Sequence, residues 1–306
     1  MKRHILYTLI TGIVIPSLLI ALTLRLTDRG EENPLQSNPV NPEHSSAMKN
    51  YVRILTDSGV VSMNLEDYIA CVVQAEMPLD FEPEALKAQA VVARTYTCNR
   101  QNNPKHDNAD VCSDSGCCQA YLSQEISDRV KEAVSQTKGQ VLTYQGNIIE
   151  ATYFSCSGGK TEDAEAVWGS DIPYLQSVES PGEEMAPRYT DTVHFTTNAF
   201  RDRLGLADGQ IRIENIRYTK GGGVLDLSIN GRIFSGIELR KLLQLRSTAF
   251  VITVMGESVT ITTKGFGHRV GMSQYGAEAM ALEGKTYQEI LSHYYVGTEL
   301  ICLELS

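Results

Sequence analysis

Hydrophobic and polar positions along the chain follow helical spacing in some segments and strict alternation in others. Segments of the two kinds are interspersed, without regular β-α-β order and without a repeat of fixed period. This arrangement predicts an α+β fold. The predicted helices cover residues 64–77, 83–100, 127–138, 197–206, 236–245, 272–283 and 286–294. The predicted strands lie within residues 51–63, 140–144, 147–154, 211–219, 224–229, 250–255 and 258–263.

The start of the chain is apolar enough to anchor the protein in a membrane. Residues 5–24 carry no charge, and about 20 apolar residues cross a hydrocarbon core of roughly 30 Å. A short basic start precedes this run, and no small-residue cleavage site follows it, so we expect an anchor rather than a cleaved signal peptide. We predict a cytoplasmic start and one transmembrane helix at residues 1–27, a flexible linker at 28–48 and an extracytoplasmic region at 49–306.

Charge narrows the class of substrate. The 306 residues include 37 Asp and Glu against 27 Lys and Arg, which gives a formal charge of −10. This balance disfavours nucleic acid, whose phosphates are usually bound by basic patches. It equally disfavours an anionic membrane surface or a teichoic-acid-like polymer as the main partner. We therefore expect a neutral or nearly neutral substrate.

A single glutamate continues an apolar helix face. Leu65, Ile69 and Val72 follow one face of the first predicted helix, and the same face ends at Glu76. A carboxyl group that leaves water keeps its proton more readily, and the C-terminal end of a helix acts in the same direction. Such a group can serve as a general acid near neutral pH. The alternative is a frayed helix end with Glu76 in solvent.

The second predicted helix carries two cations on an otherwise apolar face. Lys87, Val91 and Arg94 share this face. A buried cation needs a partner, and the candidates are Glu76, Glu84 or a hydroxyl group of a substrate. A purely structural ion pair is the alternative.

A polar loop after this helix combines the ligand types that zinc prefers. His106, Cys112, Cys117 and Cys118 are close together in sequence, and zinc binds four such ligands tetrahedrally. Cys98 is a reserve ligand. Four protein ligands leave no position for water, so a site of this kind is structural rather than catalytic. The alternative is a disulfide within the loop, which an extracytoplasmic location would permit.

Three separated blocks resemble the stage II sporulation protein D family, and the predicted N-terminal anchor also fits that family. The blocks are residues 75–96, 155–175 and 265–277, and they read AEMPLDFEPEALKAQAVVARTY, SCSGGKTEDAEAVWGSDIPYL and GFGHRVGMSQYGA. They occur in the order expected for the family, and the resemblance extends from residue 51 to the C-terminus.

The resemblance implies a peptidoglycan lytic transglycosylase that acts in engulfment during sporulation. Such an enzyme cleaves the glycan between N-acetylmuramic acid and N-acetylglucosamine and leaves a 1,6-anhydro end. Glu76 matches the catalytic acid of the family. Ordinary glycoside hydrolysis uses two carboxyl groups, but here one suffices because the C6 hydroxyl of muramic acid is an internal nucleophile. We expect two lobes of mixed helices and β-hairpins around a substrate cleft.

The resemblance also implies site residues and a cofactor. The H-x5-C-x5-C spacing of the polar loop resembles a zinc signature of some clostridial members, which implies one Zn²⁺, with Cys117 as the fourth ligand. For His268 the alternative is a structural turn in which the imidazole ring hydrogen-bonds to the backbone. Trp168 either stacks on a sugar ring or lies in the core. The implied substrate contacts are Lys87, Arg94, Tyr153, Ser155, Ser157, His268, Gln274 and Tyr275.

Two further functions stay open. One is a non-catalytic cell-wall-binding scaffold that activates a partner amidase, and the other is a zinc-dependent cell-wall hydrolase, although no H-E-x-x-H motif is present. The expected partners are glycan strands lacking stem peptides and other engulfment proteins, such as stage II sporulation proteins P and M. The expected location is the mother-cell membrane facing the forespore, with the C-terminal region outside the cytoplasm.

Overall fold

A computed structural model describes residues 49–123 and 125–303, and in this part of the chain helices and short strands are mixed, as the α+β prediction requires. The helices are α1 (Leu65–Glu76), α2 (Pro83–Asn102), α3 (Asp128–Gln136), α4 (Ala164–Trp168), α5 (Thr197–Leu204), α6 (Gly236–Leu243), α7 (Gln274–Leu282) and α8 (Tyr287–Tyr294). The strands are β1 (Tyr51–Thr56), β2 (Gly59–Asn64), β3 (Val111–Cys112), β4 (Gln140–Tyr144), β5 (Asn147–Ile148), β6 (Tyr153–Phe154), β7 (Thr190–Thr196), β8 (Ile213–Tyr218), β9 (Val224–Ile229), β10 (Arg232–Ser235), β11 (Phe250–Met255), β12 (Ser258–Lys264), β13 (Met272–Ser273) and β14 (Glu299–Cys302).

The predicted anchor at residues 1–27 and the linker at 28–48 lie outside the described residues. Among the helices described, none is both long and apolar enough to cross a membrane.

The described strands form small separate sheets. β1 pairs with β2 antiparallel and with β3 parallel, and β4 lies between β14 and β5. β9 lies between β10 and β8, and β12 lies between β11 and β7, all antiparallel. β6 and β13 form a short parallel pair between segments far apart in sequence. Sheets of two or three strands need a hydrophobic face or a packed helix for stability, so contacts with the helices matter for this fold.

Two hydrophobic cores stabilise the described part of the chain. The first includes Leu65 and Ile69 of α1, Val91 of α2 and Ile290 of α8. The second lies within residues 200–261 and includes Phe200, Phe234, Leu239 and Ile261. The described part of the chain therefore has two separate clusters of buried side chains, and the division into two lobes around a cleft stays a prediction.

The ends of α1 and α2 follow from local sequence. The side chain of Asn64 accepts a hydrogen bond from the backbone N–H of Glu66 at 3.0 Å and caps α1. The helix ends at Glu76, because Met77 is extended in front of Pro78. α2 begins with Pro83, whose missing N–H costs nothing at a first helical position. Glu76 is therefore the last residue of its helix.

A buried ion pair connects the second and third blocks of the chain. Arg269 and Glu162 are almost fully buried, with 3.0 Å between Nη1 and Oε1. Arg269 also donates to the backbone oxygens of Ser157 at 2.6 Å and Gly221 at 2.7 Å. The backbone N–H of Gly223 donates to Glu162, and a Cβ at that position would lie only 2.4 Å from the carboxylate. Glycine is therefore required where this loop covers the ion pair.

Candidate active site and adjacent metal cluster

Glu76 is half-buried, and groups from three different segments converge on its carboxylate. Oε1 accepts a hydrogen bond from the backbone N–H of Ala120 at 2.7 Å and lies 3.2 Å from the hydroxyl of Tyr153. Oε2 accepts from the side-chain amide of Gln274 at 3.3 Å. The helix end is therefore ordered against the rest of the protein, and Glu76 is not a frayed residue in solvent.

Strand pairing brings Tyr153 and Gln274 to the same place. Tyr153 of β6 is opposite Met272 of β13, and α7 begins two residues later at Gln274. The side chain of Ser273 caps α7 by accepting from the backbone N–H of Gly276, so the predicted helix start at residue 272 is wrong by two residues. Burial, and then the nearby Glu76 carboxylate, raise the pKa of Tyr153 well above its ordinary value. The phenol therefore stays protonated at physiological pH.

Gln119 supports this arrangement and is not among the residues predicted from sequence. It is buried, its Oε1 lies 3.2 Å from the hydroxyl of Tyr153, and its Nε2 donates to Thr97 Oγ1 at 3.0 Å. An uncharged glutamine without a motif gives no signal in the sequence, and neither does the backbone N–H of Ala120. The one available hint is that both directly follow the predicted metal ligand Cys118.

The four predicted metal ligands come together in one cluster. The ligand atoms of His106, Cys112, Cys117 and Cys118 all lie within 4.8 Å of one another. His106 Nε2 is 3.8 Å from Cys117 Sγ and 3.5 Å from Cys118 Sγ, and the two sulfurs are 4.0 Å apart. A tetrahedral zinc site with Zn–S about 2.3 Å and Zn–N about 2.0 Å has edges of about 3.8 and 3.5 Å, so the cluster fits this ion.

The disulfide alternative does not describe this loop, because all its cysteines are free thiols in the structure. Burial raises the pKa of the Cys112 and Cys117 thiols, and Cys118 contributes to both shifts. Burial therefore makes the free thiolates unfavourable. A bound cation would stabilise them by taking the place of the thiol protons. Cys98, the reserve ligand, is fully buried and is not part of the cluster.

Residues 106–118, which contain the four cluster residues, are called the metal loop. This loop is attached to the sheet of β1, β2 and β3 as well as to Glu76. Cys112 of β3 is opposite Leu55 of β1 in a parallel pairing. Asp110, which is fully buried, accepts hydrogen bonds from the backbone N–H of Arg53 at 2.8 Å and from its Nη2 at 2.7 Å. The segment from Asp110 to Ala120, which contains three of the four cluster residues, therefore joins β1 to Glu76.

The two cations of α2 pair with carboxylates other than Glu76. Lys87 pairs with Glu84, one of its predicted partners, and its Nζ lies 5.6 Å above the ring of Tyr287. Arg94 is 0% exposed and pairs with Glu66 at 2.6 Å, a partner that the helical pattern did not suggest. Because no solvent-exposed surface of Arg94 remains, the expected substrate contact is corrected to a buried ion pair.

The serines of the second block have different environments. Ser155 is half-buried, and its backbone oxygen accepts from the N–H of Tyr275 at 3.0 Å, which ties the second and third blocks together. Ser157 is 0% exposed, and both its N–H and its hydroxyl donate to Glu183 at 2.8 Å. Burial removes Ser157 from direct contact with a ligand in this structure, so its expected role is corrected to holding the loop.

His268 and Tyr275 lie on either side of β13. His268 Nδ1 accepts the backbone N–H of Val270 at 3.1 Å, and its ring packs 5.2 Å from that of Trp168. Burial lowers the pKa of His268 to about 4, so the ring is neutral at physiological pH. Tyr275 is half-buried and packs edge-on against Phe81 at 5.1 Å. The backbone contact of His268 is the one that the structural alternative predicts.

Comparison with known proteins gives a consistent result. The family described as stage II sporulation protein, SpoIID, matches residues 57–144. Stage II sporulation protein D of Bacillus amyloliquefaciens is 40% identical over 299 residues, which cover 92% of this chain and 84% of that protein. The protein of the same name from Bacillus subtilis (strain 168) is 38% identical over 298 residues, with the same coverage.

A more distant relative has a different name. The amidase enhancer of Bacillus subtilis (strain 168) is 30% identical over 285 residues, which cover 75% of this chain and 39% of that protein. The similarity to the two D proteins extends over most of both chains. The chain therefore belongs to the stage II sporulation protein D family, a family of sporulation proteins.

Proposed function

We propose that this protein is a peptidoglycan lytic transglycosylase that acts in engulfment during sporulation. It would cleave the bond between N-acetylmuramic acid and N-acetylglucosamine and leave 1,6-anhydro ends. The observation that carries the proposal is the environment of Glu76, a half-buried carboxyl group held by Ala120, Tyr153 and Gln274 from three segments. Such ordering is expected of a group that must transfer a proton in a fixed geometry.

One carboxyl group can perform both proton transfers. Glu76 in its acid form would protonate the oxygen of the leaving sugar as the glycosidic bond breaks. As a carboxylate it would then accept the proton of the C6 hydroxyl as the anhydro ring closes. The attack is intramolecular, and well-oriented reactions of this kind reach effective molarities of about 10⁵ M or more. The side chains that hydrogen-bond to Glu76 in the described residues are a tyrosine and a glutamine, so neither supplies a second carboxyl group.

The surrounding polar residues suit a glycan. We propose that Tyr153, Ser155, His268, Gln274 and Tyr275 contact the sugars near Glu76. Hydroxyl, amide and neutral imidazole groups can exchange hydrogen bonds with sugar hydroxyls and acetamido groups without requiring a charged substrate. We also propose Lys87 as a substrate contact, because its side chain is partly exposed, although it pairs with Glu84.

We propose zinc as the ion of the metal cluster, held by His106, Cys112, Cys117 and Cys118. Bound there, it would supply a structural cross-link, since four protein ligands leave no position for a water molecule or substrate. Cys118 is followed directly by Gln119 and Ala120, which contact Tyr153 and Glu76. Zinc bound to this loop would thus hold Gln119 and Ala120 in place beside Tyr153 and Glu76. The zinc itself would take no part in proton transfer.

The direct test is a Glu76→Gln variant incubated with purified glycan strands that lack stem peptides. Glutamine keeps the size of the side chain but cannot donate a proton to the leaving oxygen, so we expect loss of anhydro-ended products by a factor of about 10² or more. Mass spectrometry of the digest distinguishes anhydro ends from the reducing ends that a hydrolase would leave.

Glu283→Gln is the matched control, because Glu283 is an exposed glutamate at the end of another helix, α7. This variant should form anhydro products at the normal rate. Normal product formation by Glu76→Gln would contradict the assignment, and reducing ends from the unaltered protein would indicate hydrolysis instead.

A second function, stimulation of a partner amidase, is favoured by one specific observation. A relative that is 30% identical is named amidase enhancer. If this chain is a non-catalytic scaffold, Glu76→Gln should stimulate the amidase as well as the unaltered protein does, and neither should cleave glycan alone. A zinc-dependent hydrolase is the third possibility, and the four-ligand cluster argues against it.

We propose further that residues 1–27 anchor the protein in the mother-cell membrane and that residues 28–48 are a linker to the extracytoplasmic region. The proposed partners are glycan strands and engulfment proteins such as stage II sporulation proteins P and M. Fractionation of sporulating cells, with and without residues 1–27, tests the anchor. Recovery of the full chain in the soluble fraction would contradict it.

A further inference from the structure

The hydroxyl group of Tyr153 has one proton and two acceptors within reach. Its oxygen is 3.2 Å from Glu76 Oε1 and 3.2 Å from Gln119 Oε1. A phenol donates one hydrogen bond and can accept others. At any moment Tyr153 therefore donates either to the proposed catalytic carboxyl group or to the amide oxygen of Gln119.

The orientation of the Gln119 amide is fixed by its other neighbours. Thr97 Oγ1 donates its proton to the backbone oxygen of Ala93 at 2.7 Å, so it can only accept from Gln119. The group that faces Thr97 must therefore be the NH₂ of Gln119, which also lies 3.4 Å from the hydroxyl of Tyr68. The carbonyl oxygen of Gln119 is left facing Tyr153, and Gln119 is only 1% exposed, so water does not compete for this position.

We propose that Gln119 is a positioning residue that allows Tyr153 to hydrogen-bond with Glu76 in both of its protonation states. The proposal rests on the acid–base role of Glu76 described above. When Glu76 is protonated, its O–H donates to the oxygen of Tyr153 and Tyr153 donates to Gln119. When Glu76 is ionised, Tyr153 turns its proton to the carboxylate. One rotation of a hydroxyl group thus accommodates the acid and the base half of the reaction.

Gln119 has an effect that the direct partners of Glu76 cannot have. The backbone N–H of Ala120 and the NH₂ of Gln274 are donors only, so both favour the ionised carboxylate. Gln119 accepts the tyrosine proton and makes the oxygen of Tyr153 available as an acceptor. It therefore favours the protonated form of Glu76, which the first step of the reaction requires.

In the part of the chain that the structure describes, the ionisable groups near this pair include two buried tyrosines, cysteines of the proposed metal site, and Arg100 beside Tyr96. Tyr68 of α1 and Tyr96 of α2 lie near Tyr153, and Cys112 and Cys118 of the metal loop lie near Tyr68. Burial raises the pKa of Tyr68 and Tyr96 well above the ordinary value of a phenol, so both stay neutral across the useful range. A change in the titration of Glu76 between matched variants therefore reports on Tyr153 and Gln119.

The test is an NMR titration of the Glu76 carboxyl carbon in protein labelled with ¹³C at glutamate Cδ, with the signal assigned by Glu76→Gln. Gln119→Met keeps the volume but removes the acceptor, so the titration curve should move to lower pH by on the order of half to one unit. Tyr153→Phe removes the donor to the carboxylate, so the curve should move to higher pH. Adding Gln119→Met to Tyr153→Phe should produce no further shift.

Gln89→Met is the matched control. Gln89 is a second fully buried glutamine, on α2, and its amide makes no hydrogen bond to any residue that the structure describes. The same substitution there should leave the titration curve in place. If Gln119→Met does not fold, Thr97→Val tests the same inference, because it removes the acceptor that orients the Gln119 amide and should shift the curve in the same direction.

The titration needs no substrate, so it is independent of the proposed reaction. Curves of Gln119→Met and of the unaltered protein that coincide would overturn the inference, and so would a shift that persists in the Tyr153→Phe background. If the curves shift as expected while Glu76→Gln still forms anhydro products, the proposed acid–base role of Glu76 fails and the hydrogen-bond arrangement stands. With glycan as substrate, Gln119→Met should lower kcat about tenfold and leave KM nearly unchanged.

Discussion

Residue by residue, the environment of Glu76 comes from parts of the chain that are 44 to 198 positions away. The helical pattern placed Glu76 at the end of an apolar face, and the structure confirms that its helix ends there. The helical pattern did not show which groups hydrogen-bond to Glu76. Tyr153 and Gln274 were expected only as substrate contacts, and the backbone N–H of Ala120 has no sequence signal. His268 was predicted from its block, but its neutral state depends on packing against Phe154 and Trp168.

The neutral state of His268 predicts how stability depends on pH. Its pKa is about 4 in the folded protein and about 6.5 when exposed, so well above pH 6.5 the ring is neutral in both states and contributes almost nothing to the pH dependence. Between pH 6.5 and 4 the unfolded chain binds a proton that the folded protein excludes, so stability falls as pH falls, with a maximal slope of about 1.4 kcal/mol per unit.

From pH 7.5 to pH 5, the free energy of unfolding should therefore fall by about 1–2 kcal/mol less in His268→Gln than in the unaltered protein. Urea unfolding at the two pH values measures this difference. His194→Gln is the control, because His194 is exposed on β7 and contacts Thr260. An identical pH dependence for His268→Gln and the unaltered protein would contradict the burial of the neutral ring.

At the scale of helices and strands, the long elements were predictable and the short ones were not. α1, α2 and α3 have apolar faces and clear end signals, and they are close to the predicted ranges. The predicted strand at residues 147–154 is instead two short strands, each held by a different partner. Pairing between segments distant in sequence also creates strands that local patterns did not indicate, namely β3, β7 and β14. β10, which was not predicted either, forms a local hairpin with β9.

Arg94 is best understood as a connection between elements. Its guanidinium group binds Glu66 of α1 at 2.6 Å and the backbone oxygen of Gln140 at the start of β4 at 3.2 Å. Arg94→Met leaves Glu66 without its partner, so the free energy of unfolding should fall by about 3 kcal/mol in urea titrations. The kcat/KM of the folded variant should be nearly unchanged, since the side chain is buried.

Lys131→Met provides the comparison. Lys131 pairs with Asp128 on the surface, at 3.2 Å, and both side chains are largely exposed. Its loss should change stability by no more than about 0.5 kcal/mol. If Arg94→Met has normal stability and a raised KM, then Arg94 contacts substrate and the assignment as a structural ion pair is wrong.

At the scale of the whole molecule, the metal loop links the first sheet to the end of α1. Metal binding to such a loop is coupled to folding, because its ligands are not assembled in the unfolded chain. We expect the purified protein to contain one zinc per chain by elemental analysis. A chelator at neutral pH should lower Tm by several degrees and reduce glycan cleavage, and acidification should release the ion because its ligands must be deprotonated.

Cys112→Ser should have the same effects without chelator. Cys302→Ser is the matched control, because Cys302 is exposed and is not part of the cluster, and its thiol lies 3.7 Å from the backbone oxygen of Lys138. Protein without bound zinc and with a disulfide in the loop would contradict the metal assignment.

The sequence by itself determined the α+β class, the long helices, the position of Glu76 at a helix end and the four residues of the metal cluster. These features depend on local periodicity, on capping residues or on the ligand types within one short loop, so they can be recognised without coordinates. Only the tertiary structure decided that Arg94 and Ser157 are buried and that Gln119, Ala120 and Gln274 surround the carboxylate. Such contacts join segments far apart in the chain, and their energy arises from burial and hydrogen bonding that exist only once the elements have packed.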